Sequence, residues 1–598
     1  MSTASDGRGR SSSDAWRRAL EMTAPIAGNP SVTFPKIIET LSDKFDSASA
    51  LVSDQQCLTY RELGERANRY ARWALGQRLG AGDVVCLVTT NCPEYLVIWL
   101  GITRIGATVS LVNTNLVGAA LEHSISIVAP KHIIVGADLL DTLATALPRL
   151  DRGIGCWTYG DGNHGLLRID LEIDRGTGEV LRSSEYHAPS IWDRALYIYT
   201  SGTTGLPKAA AVSHFRVMQW THWFAGLIDA RPDDRMYNCL PMYHSIGGVV
   251  ATGAVLVNGG SVVVRERFSS SRFWDDIAEW NCTLFQYIGE LCRYLVNSPP
   301  HRREAEHRLR LCCGNGLRQD VWEEFQRRFR IPQILEFYAA TEGNFSLYNC
   351  DGKPGAIGRI PSYLAHRFPV ALIKHDVESG EPLRNGDGVC LRCLPNEVGE
   401  AIGRISTDRS PSLGRFEGYS DKAASDRKIL HNVFAIGDAW YRTGDLMRRD
   451  QGGYFYFVDR IGDSYRWKGE NVSTTEVEQL VCACPGVTEA VVYGVTVSGM
   501  EGRAGMAAIV TSDEFDLVEF RKKIAGRLPE YARPVFLRLG GAIEVTATFK
   551  LQKQRLMREG YDPAATTDAL YFNDRAGEAY VRLDAALYER IRSGALRP

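Results

Sequence analysis

Alternating helical and strand-like segments in the N-terminal part of the chain constrain its fold most. The stretch "TYRELGERANRYARWALGQRLG" repeats apolar residues at helical spacing and ends at a glycine, and "DVVCLVTT" follows as a buried strand. In "CPEYLVIWLGITRIGA" a proline near the start favours a second helix, and "TVSLVNT" is the next strand. This alternation predicts an α/β fold with largely parallel sheets.

The length of the chain, 598 residues, exceeds what one hydrophobic core usually supports, so we expect two or more domains. From about Asp463 the pattern changes to short strands ("AVVYGV", "AGMAAIVT") and a charged helix ("LVEFRKKIAGRL"). This change predicts a small α+β domain, with its boundary in "DRIGDSYRWKGEN". We therefore expect a lead over 1–34, a large domain over 35–461 and a small domain over 462–598.

Charge and cysteine content narrow the functional class and the compartment. Lys and Arg number 69, Asp and Glu 71, and the net charge of −2 does not favour a nucleic-acid surface. The fourteen cysteines are scattered, which indicates a reduced, cytoplasmic setting. Cys390 and Cys393 form a CxxC without a second pair, so a structural role is favoured over zinc. The first twelve residues lack the apolar core of a secretory signal.

One uncharged window, "SIGGVVATGAVLVNGGSVVV", resembles a membrane span. It contains Asn-Gly-Gly followed by β-branched residues, which favours a short buried helix, a turn and a strand instead. Peripheral membrane contact stays open as an alternative.

The segment "YTSGTTGLPKAAAVSH" holds the densest group of small polar residues, between two strand-like runs. Backbone N–H groups of a Gly/Thr turn can form an anion-binding nest, and Lys208 adds a positive charge. The order of residues does not match a Walker A loop. A plain hairpin turn would not need this combination, so the segment predicts phosphate binding, and Ser213 is expected to cap the helix that follows.

The same segment resembles the phosphate loop of the adenylate-forming superfamily, which includes acyl-CoA synthetases, peptide-synthetase adenylation domains and luciferases. The resemblance extends from about residue 35 onward, and further motifs follow in the family's order: "GNG", "YAATEG", "YRTGD", "DRIGDSYRWKGEN" and "TATFK". It implies ATP, Mg²⁺ and CoA as cofactor and co-substrates. The residues that it assigns to ATP and AMP are Thr200, Ser201, Gly202, Thr203, Thr204, Gly205, Lys208, Gly314, Asn315, Gly316, Tyr338, Thr341, Asp445 and Arg460.

Catalytic roles also follow from this resemblance. It implies Lys208, Glu342 and Lys550 as catalytic residues, with Thr200 and Glu342 as ligands of Mg²⁺. In a first step, a carboxylate would attack ATP to give acyl-AMP and pyrophosphate; a thiol would then displace AMP.

A mobile small domain is part of the same resemblance. Lys468, Gly469 and Glu470 match the loop on the CoA side. The hinge departs from the family's common pattern, so the pivot is either Gly462 or Asp463.

Two stretches narrow the resemblance to one branch of the superfamily. "YIGELCRYL" and "RWKGENVSTTEV" are similar to the fatty-acid transport protein and very-long-chain acyl-CoA synthetase branch. This implies an ATP-dependent synthetase for long or very long fatty acids. Two alternatives remain: a fatty acyl-AMP ligase that loads a carrier protein, and a membrane-associated uptake protein with coupled acyl-CoA synthesis.

The residues that would contact the acyl chain are less specific. Tyr243 and His244 resemble the family's aromatic–histidine pair near the acyl site, although a core histidine is an equal alternative. Trp220, Trp223 and Phe224 share one face of the helix after the phosphate loop. Core packing is the commoner explanation for such a stripe, with Trp223 as a candidate for an acyl tunnel.

Overall fold

The computed structural model of the protein describes residues 11–162, 165–201, 206–376, 379–406, 416–543 and 553–598. The chain divides into two compact units. The first unit comprises the chain up to Phe368 together with Ile405–Ile429, and the second comprises Pro369–Arg404 and Leu430–Pro598.

The helices occupy both units. They are α1 Ser12–Thr23, α2 Phe34–Phe45, α3 Tyr60–Gly76, α4 Pro93–Arg104, α5 Gly118–Ser126, α6 Leu140–Ala144, α7 Ile169–Asp174, α8 His214–Ile228, α9 Ala251–Leu256, α10 Phe273–Glu279, α11 Gly289–Asn297, α12 Gln319–Phe329, α13 Lys422–Asp426, α14 Thr474–Cys482, α15 Leu517–Arg527, α16 Lys553–Glu559 and α17 Ala585–Arg592.

The strands are numbered in the same way. They are β1 Ser49–Val52, β2 Cys57–Thr59, β3 Val84–Val88, β4 Thr108–Leu111, β5 His132–Gly136, β6 Gly155–Tyr159, β7 Leu167–Arg168, β8 Arg194–Ser201, β9 Pro207–Ser213, β10 Arg235–Asn238, β11 Ser261–Val264, β12 Leu284–Ile288, β13 Leu311–Asn315, β14 Ile334–Ala339, β15 Ser346–Asn349, β16 Gly358–Arg359, β17 Val370–Ile373, β18 Val398–Arg404, β19 Ile429–His431, β20 Ala439–Arg449, β21 Tyr454–Arg460, β22 Tyr465–Trp467, β23 Glu470–Val472, β24 Val487–Val495, β25 Ala504–Thr511, β26 Phe536–Leu539, β27 Ala569–Asp574 and β28 Ala579–Arg582.

Two mostly parallel sheets build the first unit. One has the order β7-β6-β5-β3-β4-β8-β9, in which only the β8–β9 pair is antiparallel. The other has the order β15-β14-β13-β12-β10-β11-β1-β2 and is parallel from β14 to β1. Strands β3 and β4 and helices α3 and α4 lie where the sequence pattern predicts them, because their apolar spacing matches the faces that become buried. The expected parallel α/β architecture is confirmed.

The uncharged window folds as a buried piece of this unit. A π-helical turn at Ile246–Val250 leads into α9, and Gly259, with a φ of +88°, turns the chain into β11. The predicted helix, turn and strand are therefore confirmed. Among the described residues, we find no helix with the length and apolar character that a membrane crossing requires.

The second unit contains two separate sheets. Strands β17, β18, β20 and β21 form an antiparallel sheet, and β24 to β28 form another in which only β25 and β26 run parallel. Helices α14 and α15 contribute Val477, Val481, Phe520 and Ile524 to the buried core of the second sheet. The C-terminal part is thus the small α+β fold that the sequence predicts.

Candidate active site

The ends of β8 and β9 frame the predicted phosphate loop. Thr200 and Lys208 are directly paired across this antiparallel ladder, so both lie at the base of the loop. Each is partly exposed. Four predicted residues, Gly202–Gly205, lie outside the described residues, as does the side chain of Ser201.

A segment remote in sequence continues the ladder beyond β9. Tyr419 pairs with Ala210, and the backbone N–H of Ser420 donates to the carbonyl of Ala209 at 2.9 Å. Its neighbour Gly418 accepts a 3.0 Å bond from the N–H of Ala211. This pairing places the Tyr419 side chain beside the base of the phosphate loop.

Tyr419 joins three of the predicted site residues. Its hydroxyl donates to Oε1 of Glu342 at 2.6 Å and is hydrogen-bonded to the Thr200 side chain. The ammonium of Lys208 lies 5.7 Å from the centre of the Tyr419 ring, within the range of a cation–π contact. Burial, and then the nearby Glu342 carboxylate, raise the pKa of Tyr419 well above its usual value, so the phenol stays a donor.

Lys208 carries the electrostatic character expected of an anion site. Burial lowers its pKa, and the positive charges of Arg427 and Lys428 lower it further, whereas Asp421 and Glu342 act in the opposite sense. Several cations therefore share one region of the first unit with two carboxylates, and their positive charge would attract an anionic ligand.

Glu342 lies close to a network that starts from helix α8. Ser213 caps this helix as predicted, since its hydroxyl accepts from the N–H of Arg216 at 3.2 Å, and it also donates to Glu417 at 2.6 Å. Arg216 reaches the carbonyl of Thr341 at 2.6 Å. The residue before Glu342 is thus anchored to the helix that follows the phosphate loop.

The predicted adenine segment lies at the end of β13. Gly314 is paired with Tyr287 of β12 on one side and with Glu336 of β14 on the other. A Cβ atom on Gly314 would come within 2.4 Å of the Tyr287 ring, so the position requires glycine. Gly316 has a φ of +79°, which also favours glycine, and Asn315 between them is half-buried.

Tyr338, the predicted stacking residue, follows Glu336 on β14 and is half-buried. Its ring meets Phe345 edge-on, with centroids 5.6 Å apart. Its stacking on adenine stays a prediction.

Asp445 and Arg460, the predicted ribose contacts, lie together in the second unit. They are paired between β20 and β21, and Nε of Arg460 is 3.5 Å from Oδ1 of Asp445. The N–H of Asp445 donates to the Thr443 hydroxyl at 3.0 Å, and only 9% of Asp445 is exposed. The sheet thus fixes the backbone from which this carboxylate extends.

The predicted loop on the CoA side is a two-residue hairpin turn between β22 and β23. Lys468 and Gly469 both have positive φ, +53° and +82°, and Glu470 is paired with Trp467. All three predicted residues of this loop are exposed. Lys550 and the rest of the "TATFK" motif lie outside the described residues.

Gly462, one of the two hinge candidates, is exposed and has a φ of +95°. A Cβ atom there would meet nothing within 4 Å. The carboxylate of Asp463, the other candidate, lies 3.5 Å from the ammonium of Lys553.

The acyl-site candidates lie in different surroundings. Tyr243 is buried, accepts a 3.1 Å bond from the Asn115 amide and packs against the His244 ring at 4.6 Å. Burial raises its pKa to about 12. Trp223 instead packs edge-on against Trp16 of α1, with ring centres 5.7 Å apart, and at a tilt against Tyr348, with ring centres 5.6 Å apart. In this structure its ring is part of an aromatic core, and its role at an acyl site stays a prediction.

Sequence reasoning missed two residues that the fold brings to the predicted site. Tyr419 and Glu336 belong to no motif identified from the sequence, and each meets its partners only through sheet pairing. For Glu336, the sequence offers one signal: the "YIGE" stretch contains Tyr287, whose hydroxyl contacts the Glu336 carboxyl.

Comparisons with known proteins identify the family of the chain. A family described as AMP-binding enzyme matches residues 39–390, and the C-terminal domain of AMP-binding enzymes matches residues 476–550. Mouse long-chain fatty acid transport protein 1 is 41% identical over 568 residues, covering 94% of this chain and 88% of the relative.

Solved structures share the fold at lower identity. ATP-bound MatB from Rhodopseudomonas palustris is 24% identical, with a TM-score of 0.74, over 88% of this chain and 99% of that one. A Mycobacterium tuberculosis fatty acyl CoA synthetase is 22% identical, with a TM-score of 0.62, over 88% of this chain and 98% of that one. By its family match and its close relatives, the chain belongs to the AMP-binding enzymes, in the branch of the long-chain fatty acid transport proteins.

Proposed function

We propose that the protein is an AMP-forming acyl-CoA synthetase for long or very long fatty acids. One observation carries this proposal: Thr200 and Lys208, at the two ends of one loop, meet the sequence-remote Glu342 around the Tyr419 side chain. A hydroxyl, an ammonium and a nearly buried carboxylate beside a Gly/Thr loop suit a nucleotide triphosphate.

In the first half-reaction, a fatty-acid carboxylate oxygen attacks the α-phosphorus of ATP. The bond to the bridging oxygen breaks, pyrophosphate leaves, and acyl-AMP forms. Lys208 would hold the β- and γ-phosphates, and Lys550 would hold the reacting carboxylate and the α-phosphate. Both lysines would balance the negative charge that gathers in the transition state.

Mg²⁺ fits the oxygen donors at this position. Glu342 is 7% exposed, and the Thr200 hydroxyl shares a hydrogen-bond partner with it, so both oxygens lie in one region. Hard oxygen donors of this kind suit Mg²⁺, which would neutralise phosphate charge when bound.

In the second half-reaction, the CoA sulfur attacks the acyl carbon. The acyl–oxygen bond breaks, AMP leaves with the electron pair, and the thiol proton passes to solvent. Lys468, Gly469 and Glu470 would line the approach of CoA, and Asp445 with Arg460 would hold the ribose in both steps.

A substrate panel tests the proposal. The purified chain is given ATP, Mg²⁺, CoA and acids from acetate to very long fatty acids, while pyrophosphate release and CoA consumption are followed separately. We expect both signals with long acids and little with acetate. Pyrophosphate release without CoA consumption would instead favour the acyl-AMP ligase, and neither signal would contradict adenylation altogether.

The name of the mouse relative, a long-chain fatty acid transport protein, favours a second role in fatty-acid transport. We propose peripheral contact of a cytoplasmic protein, with acyl-CoA synthesis trapping the imported acid. Cell fractionation tests this: peripheral contact predicts release from membranes by a high-salt wash. Retention after that wash would contradict it, as would complete absence from the membrane fraction.

A further inference from the structure

Tyr287 and Glu336 flank the predicted adenine segment from neighbouring strands. Tyr287, Gly314 and Glu336 occupy one row across β12, β13 and β14. Residues matched in this way point to the same face of the sheet. Because Gly314 has no side chain, the Tyr287 hydroxyl reaches over it and meets Oε2 of Glu336 at 2.6 Å.

The Glu336 carboxyl also bonds to the loop after β13. Its Oε1 accepts from the N–H of Leu317 at 3.0 Å, and the N–H of Gly316 bonds to the same carboxyl. These are the backbone groups immediately after Asn315. Glu336 is 1% exposed, so water does not replace these bonds.

The "YIGE" stretch supports the loop from a second side. A Cβ atom on Gly289 would come within 1.9 Å of the carbonyl oxygen of Gly316 and 2.7 Å of the Leu317 nitrogen. Gly289 therefore lets the start of α11 lie directly against the loop backbone. Only a glycine allows that approach.

We propose that Glu336, fastened by Tyr287, is a positioning residue that holds the 314–317 loop in the shape that binds the adenine of ATP and AMP. This inference rests on the proposed function and deepens it. It also gives the "YIGE" stretch a role, because Tyr287 and Gly289 of that stretch both support the loop.

The surroundings of Glu336 favour a neutral carboxyl. No ion pair joins it within the described part of the chain, and its titratable neighbours are Tyr287 on β12, Cys292 on α11 and Cys313 on β13. Burial raises the pKa of all three well above their usual values, so they carry no charge near neutral pH. Burial likewise raises the pKa of Glu336 to about 8.

Three variants and one matched control test the inference, with AMP as the probe in calorimetry on the full chain. Glu336→Gln keeps an oxygen acceptor for the loop and an N–H donor for Tyr287, so its affinity for AMP should stay within about threefold of the parent. Glu336→Leu leaves the Gly316 and Leu317 N–H groups unpaired, and its affinity should fall about tenfold or more. Tyr287→Phe removes the fastening bond and should weaken AMP binding several-fold.

The matched control is Tyr237→Phe. Tyr237 lies on β10, the strand next to β12, and its hydroxyl donates to the buried Asp276 carboxylate at 2.9 Å. The control therefore removes a bond similar to that between Tyr287 and Glu336. This control variant should lower stability as Tyr287→Phe does, while its affinity for AMP stays at the parent value.

A kinetic measurement separates weaker nucleotide binding from a slower chemical step. At saturating ATP, the rate of pyrophosphate release by Glu336→Leu should recover in part, because the variant raises the KM for ATP more than it lowers kcat.

Unchanged AMP affinity in Glu336→Leu or Tyr287→Phe overturns the inference, and so does equal weakening by Glu336→Gln and Glu336→Leu. If Glu336→Leu does not fold, the comparison of Tyr287→Phe with Tyr237→Phe decides. A parent chain that neither binds AMP nor releases pyrophosphate contradicts the proposed function instead.

Discussion

At the scale of single residues, the candidate site depends on groups that act through others. Tyr419 touches Glu342, Thr200 and the Lys208 ammonium, although nothing in its local sequence marks it. Its phenol donates a hydrogen bond to Oε1 of Glu342. The carboxylate is thereby oriented before nucleotide binds, which lowers the cost of organising the site.

Glu342→Ala and Lys208→Ala should each slow pyrophosphate release about 10²–10³-fold, since each removes a preorganised charge from the transition state. Glu324→Ala is the matched control, because Glu324 lies on α12, away from the predicted site, and forms an exposed ion pair with Arg327. Near-parent pyrophosphate release by the Glu342 variant would remove that residue from the Mg²⁺ site.

The buried Glu336 carboxyl predicts a specific dependence of stability on pH. The pKa of this carboxyl is about 8 in the folded protein, against a usual 4.5. The protonated carboxyl therefore contributes fully to the free energy of unfolding below about pH 4.5, and this contribution is lost as pH rises towards 8. Glu336→Gln stays neutral throughout. The free energy of unfolding of this variant should therefore gain on the parent over that window, by a few kcal/mol at most.

Urea unfolding of the parent and of Glu336→Gln at several pH values measures this difference. The contributions of all other titrating groups cancel in the difference, because both proteins contain them. The measurements run from about pH 5 to about pH 8 in steps of about one unit. A difference in the free energy of unfolding that does not change over this range would contradict the raised pKa of Glu336.

At the scale of elements, helix α8 connects the phosphate loop to its surroundings. Ser213 caps it and also binds Glu417, in the segment that carries Tyr419. Ser213→Ala should cost about 1–2 kcal/mol of stability and also slow adenylation, because the 417–420 segment loses a contact.

Thr59→Ala is the control for this cap. The Thr59 hydroxyl accepts from the N–H of Glu62 and donates to its carboxylate at 2.9 Å, at the start of α3. A similar loss of stability with unchanged adenylation is expected. Equal effects of both variants on pyrophosphate release would refute the proposed link between α8 and the site.

Local patterns predicted the elements better than the contacts between them. The apolar spacing that defines α3, β3, α4 and β4 acts over a few residues, so the sequence displays it directly. Tyr419 and Glu342 are 77 residues apart, and only sheet pairing brings them together. The aromatic residues that share one face of α8 also differ in burial, which their spacing alone does not reveal. Trp223 is buried, whereas Trp220 is half-buried beside Arg216.

At the scale of the whole molecule, the proposed reaction needs different groups in its two steps. Lys550→Ala should abolish acyl-AMP formation but leave preformed acyl-AMP able to react with CoA, since the lysine would act only on the carboxylate and the α-phosphate. Lys522→Ala, an exposed lysine on α15, is the control. Equal loss in both half-reactions would show that Lys550 has no step-specific role.

Gly462 is where we expect the small domain to turn between these steps. Asp459, before this glycine, accepts bonds from the Ser464 hydroxyl at 2.8 Å and from the Thr474 N–H at 2.7 Å, so a rotation here would have to break both. Gly462 itself can absorb a large change in backbone angles, and its φ of +95° suits glycine.

Proline cannot adopt that φ, so Gly462→Pro should disfavour the arrangement in this structure and impair one half-reaction at least tenfold more than the other. If adenylation is the step that survives, acyl-AMP should accumulate and CoA should not discharge it. Gly499→Pro is the matched control, since Gly499 also has a positive φ, +71°, and a Cβ there would likewise meet nothing within 4 Å. Single-turnover assays of each half-reaction measure the effect, and equal rates of both in Gly462→Pro and the parent would contradict a hinge at this residue.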